Sequence, residues 1–147
     1  MNIRSIFPCL LLSGFLFAHS AFAQTGAHCG PDLMKLHGQA IPHATLFSSE
    51  VPAQPSQKLC ESTYKIPGKY ARATEAMLIR KYGMGKLVFE CCGWSPARGK
   101  TGSFRRAHRM ADGAYASYEI YMASGETVEK QWDKIESFYI TLSIYAI

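Results

Sequence analysis

The strongest periodicity in this chain follows Pro67-Gly68. Tyr70, Ala73, Thr74, Met77, Leu78 and Tyr82 recur at the three- and four-residue spacing of one helix face. Arg72, Glu75, Arg80 and Lys81 fall off that stripe, and Gly83 stands where a left-handed C-terminal cap would end the helix. Beyond it the period changes to two. Lys86 to Cys92 reads as a strand with Leu87, Phe89 and Cys91 on one face and Val88, Glu90 and Cys92 on the other. Gly93 to Gly102 is rich in turn residues. Ser103 to Met110 reads as a second strand, Asp112-Gly113 as a hairpin signal and Ala114 to Ala123 as a third strand. In Glu126 to Ser137, Val128, Trp132 and Ile135 can share one side of a short helix. Phe138, Ile140, Leu142 and Ile144 then alternate with Tyr139, Thr141, Ser143 and Tyr145 in a final strand with one face for the core.

The N-terminal part is less regular. Asn2 and Arg4 precede an apolar run from Ile6 to Phe17, and Ala21-Phe22-Ala23 offers small residues at the two positions a signal peptidase reads. The run is far short of the roughly 20 apolar residues that cross a bilayer. Residues 1–23 therefore read as a cleavable secretory leader, and 24–147 as one α+β domain. Within it, 24–66 forms an N-terminal arm, a short helix over Pro31 to His37 ended by Gly38, and a surface loop from Gln39 to Lys58. Residues 67–147 supply helix and sheet. Strands joined by short turns pair antiparallel. The expected fold is thus one main amphipathic helix packed on a four-stranded antiparallel sheet, in the manner of cystatin or nuclear-transport-factor-like proteins, and disulfide-linked.

Charge and cysteines refine this picture. The formal net charge is +5; loss of the leader removes Arg4 and no acid, leaving +4. A mildly basic domain suits an anionic partner; an acidic protein or an anionic envelope component is expected, and no nucleic acid. Of five cysteines, Cys9 lies in the leader. Cys29, Cys60, Cys91 and Cys92 remain, an even set that in an exported chain implies two disulfides. If Cys91 and Cys92 are strand neighbours their side chains point to opposite faces, so each is expected to bond one of Cys29 and Cys60, with the choice open. A metal site is the competing reading, but no Cys-x-x-Cys pair is present and the histidines are scattered. No metal or other cofactor is expected.

Catalytic motifs are missing from the sequence. The segment Gly93 to Thr101 ends in Gly-Lys-Thr, but five residues rather than four separate its first glycine from the Gly-Lys pair. Pro96 also removes a backbone donor, and a strand is expected to follow. No nucleophile elbow, zinc-protease pair or disulfide-oxidoreductase Cys-x-x-Cys occurs. What remains is an aromatic and basic set: Trp94, Arg98 and Lys100 in the loop, with Arg105, Arg106 and Arg109 on the strand it feeds. Trp94 reads either as an anchor for a partner or as packed back on the domain, and the basic strand either as an anion-binding surface or as a solvated edge.

Phe89-Glu90-Cys91-Cys92-Gly93-Trp94, with the Gly99 and Gly102 region and the Tyr/Ile strand after it, resembles small exported bacterial proteins of unassigned function, over roughly residues 60–147. The resemblance implies a periplasmic or extracellular location and transfers no site residue. The leading expectation is an exported binding protein, an inhibitor or immunity protein in kind. The alternative is a small enzyme or ligand-binding domain with a pocket on the concave sheet face, using Glu90 or His108 with Tyr115, Tyr118 and Tyr121. The leader predicts that the exported chain starts at Gln24. Intact mass of the secreted product checks this, and a product retaining Met1 contradicts it.

Overall fold

In a computed structural model of the chain, the described residues are 29–30, 32–51, 58–103, 108–109 and 115–146; for His108 and Arg109 the backbone alone is described. The predicted leader, Arg105, Arg106 and the Asp112-Gly113 turn lie outside these residues.

The architecture is α+β, as the periodicities predict: one main helix on an antiparallel sheet. A one-turn helix, α1 (Leu33–Leu36), comes first. Asp32 caps it by accepting a hydrogen bond from the Lys35 amide at 3.0 Å, and Leu33 and Met34 are buried beneath it. Then follow β1 (Thr45–Glu50), β2 (Lys58–Pro67), α2 (Gly68–Tyr82), β3 (Leu87–Glu90), β4 (Gly93–Pro96), β5 (Gly102–Ser103), β6 (His108–Arg109), β7 (Tyr115–Ser124) and β8 (Ser137–Ala146).

The main sheet runs in the order β1-β2-β8-β7, with β5 and β6 both pairing along the outer side of β7. It thus has five strand positions rather than the expected four, and two of its members, β1 and β2, have no counterpart among the strands expected from the sequence. Strand β1 falls inside Gln39 to Lys58, and β2 follows it. Their polarity hid them: β1 is mostly exposed, and the buried face of β2 consists of Cys60, Ser62, Tyr64 and Ile66, half of it carrying hydroxyls. The final strand is as expected. Phe138, Ile140, Leu142 and Ile144 of β8 lie beside Ala116, Tyr118, Ile120 and Met122 of β7, all on the buried face.

The segment Lys86 to Cys92 is not part of this sheet. It turns back at Cys91-Cys92, and β3 pairs with β4 as a separate hairpin, Leu87 opposite Pro96 and Phe89 opposite Trp94. Gly93 to Pro96, expected as loop, is therefore strand.

Cys29 and Cys60 are disulfide-bonded to each other, with Cα atoms 5.7 Å apart. This corrects the expected pairing of Cys91 and Cys92 with those two residues. The physical reason is position: Cys60 is buried in β2 against the N-terminal arm, while Cys91 and Cys92 stand exposed at the tip of the other hairpin. A second tie holds the arm. The Tyr64 hydroxyl donates to Asp32 Oδ1 at 2.8 Å and accepts from the Met34 amide at 2.8 Å. Burial pushes its phenol up to about 12.

Helix α2 covers the buried face of the sheet with Ala71, Thr74, Glu75, Leu78 and Tyr82. Its inward stripe is rotated slightly from the expected one: Ala73 is exposed, Tyr70 and Met77 are half-buried, and Ala71 and Glu75 face in. The helix starts directly where β2 ends. At that corner a 3₁₀ turn, Trp132–Lys134, is pressed against Gly68, so closely that a Cβ there would overlap the carbonyl oxygens of Trp132 and Ile135. Trp132 and Ile135 are buried as their spacing suggested, whereas Val128 is 86% exposed. Gly68→Ala is expected to destabilise the fold by about 2–3 kcal/mol through overpacking against backbone that has nowhere to move. Urea unfolding of the purified variant measures this, and a change within about 0.5 kcal/mol of wild type contradicts the contact.

Candidate functional site

Trp94, Arg98 and Lys100, three of the six residues singled out in the sequence, fall on one block, made of the C-terminal end of α2, the β3–β4 hairpin and the turn Ala97–Lys100. Hydrogen bonds hold the block together. The buried Glu75 carboxylate of α2 accepts from the Leu87 amide at 2.6 Å and so fixes where β3 begins. The Gly85 amide donates to the Lys100 carbonyl at 2.9 Å, and the Ala97 amide to the Lys86 carbonyl at 2.8 Å. Gly83 ends the helix at φ 74°, donating to the Ile79 carbonyl at 2.9 Å, as its C-cap position predicted. On the other side, Gly102 lets β5 approach α2, since a Cβ there would crowd Ile120 and Tyr82.

Trp94 is packed back on the domain. Its ring stands edge-on between Phe89 (centroids 5.6 Å apart) and the buried Trp132 (5.0 Å). Its indole N–H donates to the Glu129 carbonyl at 3.2 Å, and its backbone amide donates to the Ser124 hydroxyl at 2.8 Å. The Arg72 guanidinium lies over the Trp132 ring at 4.8 Å and Lys130 over the Phe89 ring at 5.4 Å. Trp94 thus clasps the hairpin to the segment that precedes β8.

Arg98 and Lys100 are exposed, and Arg98 adopts a left-handed backbone (φ 58°, ψ 26°) next to Gly99 (φ 63°). Lys100 lines an open groove of about 790 Å³ together with Ile79, Arg80, Lys81, Tyr82, Gly83, Thr101 and Ser103. Arg80 and Lys81 were visible in the sequence only as residues off the apolar stripe. The fold adds them, and Lys86, to the neighbourhood of Arg98 and Lys100. Among the described residues no carboxylate forms an ion pair with any of these five cations; the ion pairs found are Lys58–Glu61 and Lys65–Glu136, on the main sheet and its flank. Arg80 and Lys81 lie in the last turn of α2, where the helix dipole favours positive charge. Arg109 lies on β6 opposite Tyr115, while Arg105 and Arg106 are outside the described residues.

The residues of the alternative, catalytic reading are dispersed. Tyr118 is buried among the side chains under α2, edge-on to His37 at 4.8 Å, whereas Tyr115 and Tyr121 project from the opposite face of β7. Glu90 is exposed at the end of β3, and His108 sits on β6 opposite Ala116. No group of three or more His, Cys, Asp or Glu residues with metal-binding geometry occurs among the described residues.

The hairpin tip carries a feature the sequence reading missed. Glu90 pairs with Gly93 across a two-residue turn made of Cys91 and Cys92. Cys91 occupies the left-handed region at φ 52°, the place a glycine favours in such a turn. A non-glycine residue held there costs about 1 kcal/mol or more. The two sulfurs lie 2.9 Å apart, exposed, within hydrogen-bonding distance, and either thiol can donate to the other. That hydrogen bond first, then the mutual charge interaction of the pair, holds the Cys92 thiol above its ordinary range, and Glu126 acts in the same direction. Adjacency in sequence pointed to opposite faces of a strand; the turn brings the two sulfurs together instead.

Compared with protein-family models, curated proteins and solved structures, the chain matches none.

The Glu75 contact predicts a particular contrast. Glu75→Ala leaves the buried Leu87 amide without an acceptor and is expected to cost about 1–3 kcal/mol, while Glu75→Gln keeps an acceptor oxygen and stays closer to wild type. Thermal unfolding of both variants tests it; equal losses in the two would show that the carboxylate does not hold β3.

Proposed function

We propose that this chain is an exported binding protein, an inhibitor or immunity protein in kind, that docks an acidic protein on the basic groove at the end of α2. The observation that carries the reading is that Arg80, Lys81 and Lys100 line one groove, with exposed Lys86 and Arg98 on the adjoining turn segments, and that no carboxylate among the described residues is ion-paired to any of them. Cations left unpaired on a rigid block attract an anionic surface, speed encounter and lose that effect as salt screens them. Glu75 and Trp94 fasten the hairpin on two sides and hold the block in place. Arg105, Arg106 and Arg109 follow β5 in the chain and are further candidate cations of this proposal. The Cys29–Cys60 bond supports export to an oxidising compartment, and no helix among the described residues is long and apolar enough to cross a membrane. Within this reading the helix-on-sheet arrangement is of the cystatin or nuclear-transport-factor-like kind, used as a scaffold for a surface rather than for a pocket.

The test uses poly-L-glutamate as an acidic polypeptide probe and phosphatidylglycerol vesicles as an envelope surface. Wild type is expected to bind poly-L-glutamate at low salt, and the triple variant Arg80→Glu, Lys81→Glu, Lys100→Glu to bind about tenfold more weakly or not at all. Reversal of Lys65, which is ion-paired to Glu136 elsewhere, is expected to change little. Affinity within about twofold of wild type in the triple variant moves the surface elsewhere. Binding to the vesicles without binding to the polypeptide assigns the groove to an envelope component instead.

A further inference from the structure

We propose that Cys91 and Cys92 form a reversible dithiol–disulfide couple at the tip of the β3–β4 hairpin, exchanging with disulfides and thiols of the surroundings. This site is separate from the basic groove and does not rest on it.

Three observations carry the proposal. The two sulfurs lie 2.9 Å apart, well inside the reach needed for one thiolate to attack a disulfide formed by the other. Both side chains are exposed, so an external disulfide can reach them. And the turn holds Cys91 in a left-handed backbone that a glycine would occupy with less strain, so the position keeps a thiol where the local backbone favours a residue without a side chain. The chemistry balances without a further reactant. A thiolate of the pair attacks one sulfur of an external disulfide and expels one thiolate, leaving a mixed disulfide. The neighbouring thiolate attacks the protein sulfur of that mixed disulfide and expels the second. Two protein thiols are oxidised, the external disulfide is reduced to two thiols, and the two protons pass to them.

The product is a small ring containing two sulfurs, two Cβ atoms, two Cα atoms and the carbon and nitrogen of one peptide bond. No described peptide bond is cis, and consecutive Cα atoms across a trans peptide are about 3.8 Å apart. That is below the roughly 4.4 Å at which ordinary disulfides begin, and bonds held off their preferred geometry are the more easily reduced. The Cys29–Cys60 bond has its Cα atoms 5.7 Å apart, and Cys60 is 1% exposed. One chain therefore carries a shielded structural disulfide and an exposed pair poised to open and close. The pair also sits on a fixed mount: the Thr127 amide donates to the Cys92 carbonyl at 2.7 Å, and Trp94 anchors the strand just beyond the turn. Closing and opening the ring changes the tip without involving the rest of the hairpin.

The experiment equilibrates the purified protein with mixtures of reduced and oxidised glutathione, blocks free thiols by alkylation and maps the peptides. In oxidising mixtures the peptide containing Cys91 and Cys92 is expected to take no alkylating label and to lose the mass of two hydrogen atoms. Reducing mixtures are expected to restore two labels on that peptide while Cys29 and Cys60 remain linked. Cys91→Gly, which suits the turn, leaves Cys92 alone and is expected to accumulate a glutathione adduct that wild type does not keep. The proposal is overturned if wild type retains glutathione on either cysteine, if the pair forms disulfides between two chains, if both thiols persist in oxidising mixtures, if the pair opens only together with Cys29–Cys60, or if the Cys91→Gly protein takes up no glutathione.

Discussion

The pairing of β2 with β8 is the contact on which the rest of the fold depends. The two strands run side by side from Lys58 opposite Tyr145 to Pro67 opposite Ser137, and they form the middle of the sheet. Their buried side chains, Tyr64 and Ile66 beside Phe138 and Ile140, make the floor that α2 covers. The helix, the hairpin and β7 all lie between these strands in the chain, so the floor is complete only when the C-terminal strand has joined it. Such non-local pairing is entropically expensive to start and folds slowly compared with local contacts. The Cys29–Cys60 bond adds a covalent tie on one side of this pairing, holding the N-terminal arm to β2.

How far this was legible differs from element to element. Helix α2 and strands β7 and β8 announce themselves because their buried positions are apolar and recur at the right spacing: Leu78 and Tyr82 on the helix, Ile120 and Met122 on β7, Phe138 to Ile144 on β8. Strands β1 and β2 do not, because a hydrophobic pattern cannot register a buried Ser62 or a mostly exposed edge. Glu75 reads as a solvent-facing charge in the sequence and is instead a buried acceptor, since its partner, the Leu87 amide, has no sequence signature. The cysteines were misread for a similar reason. Adjacent residues diverge in a strand but converge in a tight turn, and a positive φ at Cys91 cannot be seen in a residue type that rarely adopts it.

The basic set was partly visible. Arg98 and Lys100 were named for their loop, but Arg80, Lys81 and Lys86 join them only through the fold, which lays the end of α2 against the turn at Lys100. Trp94 shows the opposite relation. A tryptophan between glycine and proline reads equally well as a partner's anchor or as an internal clasp, and contacts with Phe89 and Trp132 decide between these by geometry that no single-chain pattern contains. Its position ties the hairpin to β7 and to the segment before β8.

The pairing is irregular at both borders of the main sheet. Along β1 the register shifts between Leu46 and Ser48. Along the opposite border, the pairings Gly102–Ile120 and His108–Ala116 mean that six steps of chain match only four steps of β7. The extra residue in β1 breaks the even row of amides and carbonyls there, and the described pairs of the opposite margin do not keep one continuous register. On the face turned away from α2, Thr63, Thr141 and Tyr121 stand half-buried side by side, and a further strand laid along either margin would meet an interrupted ladder rather than a straight one.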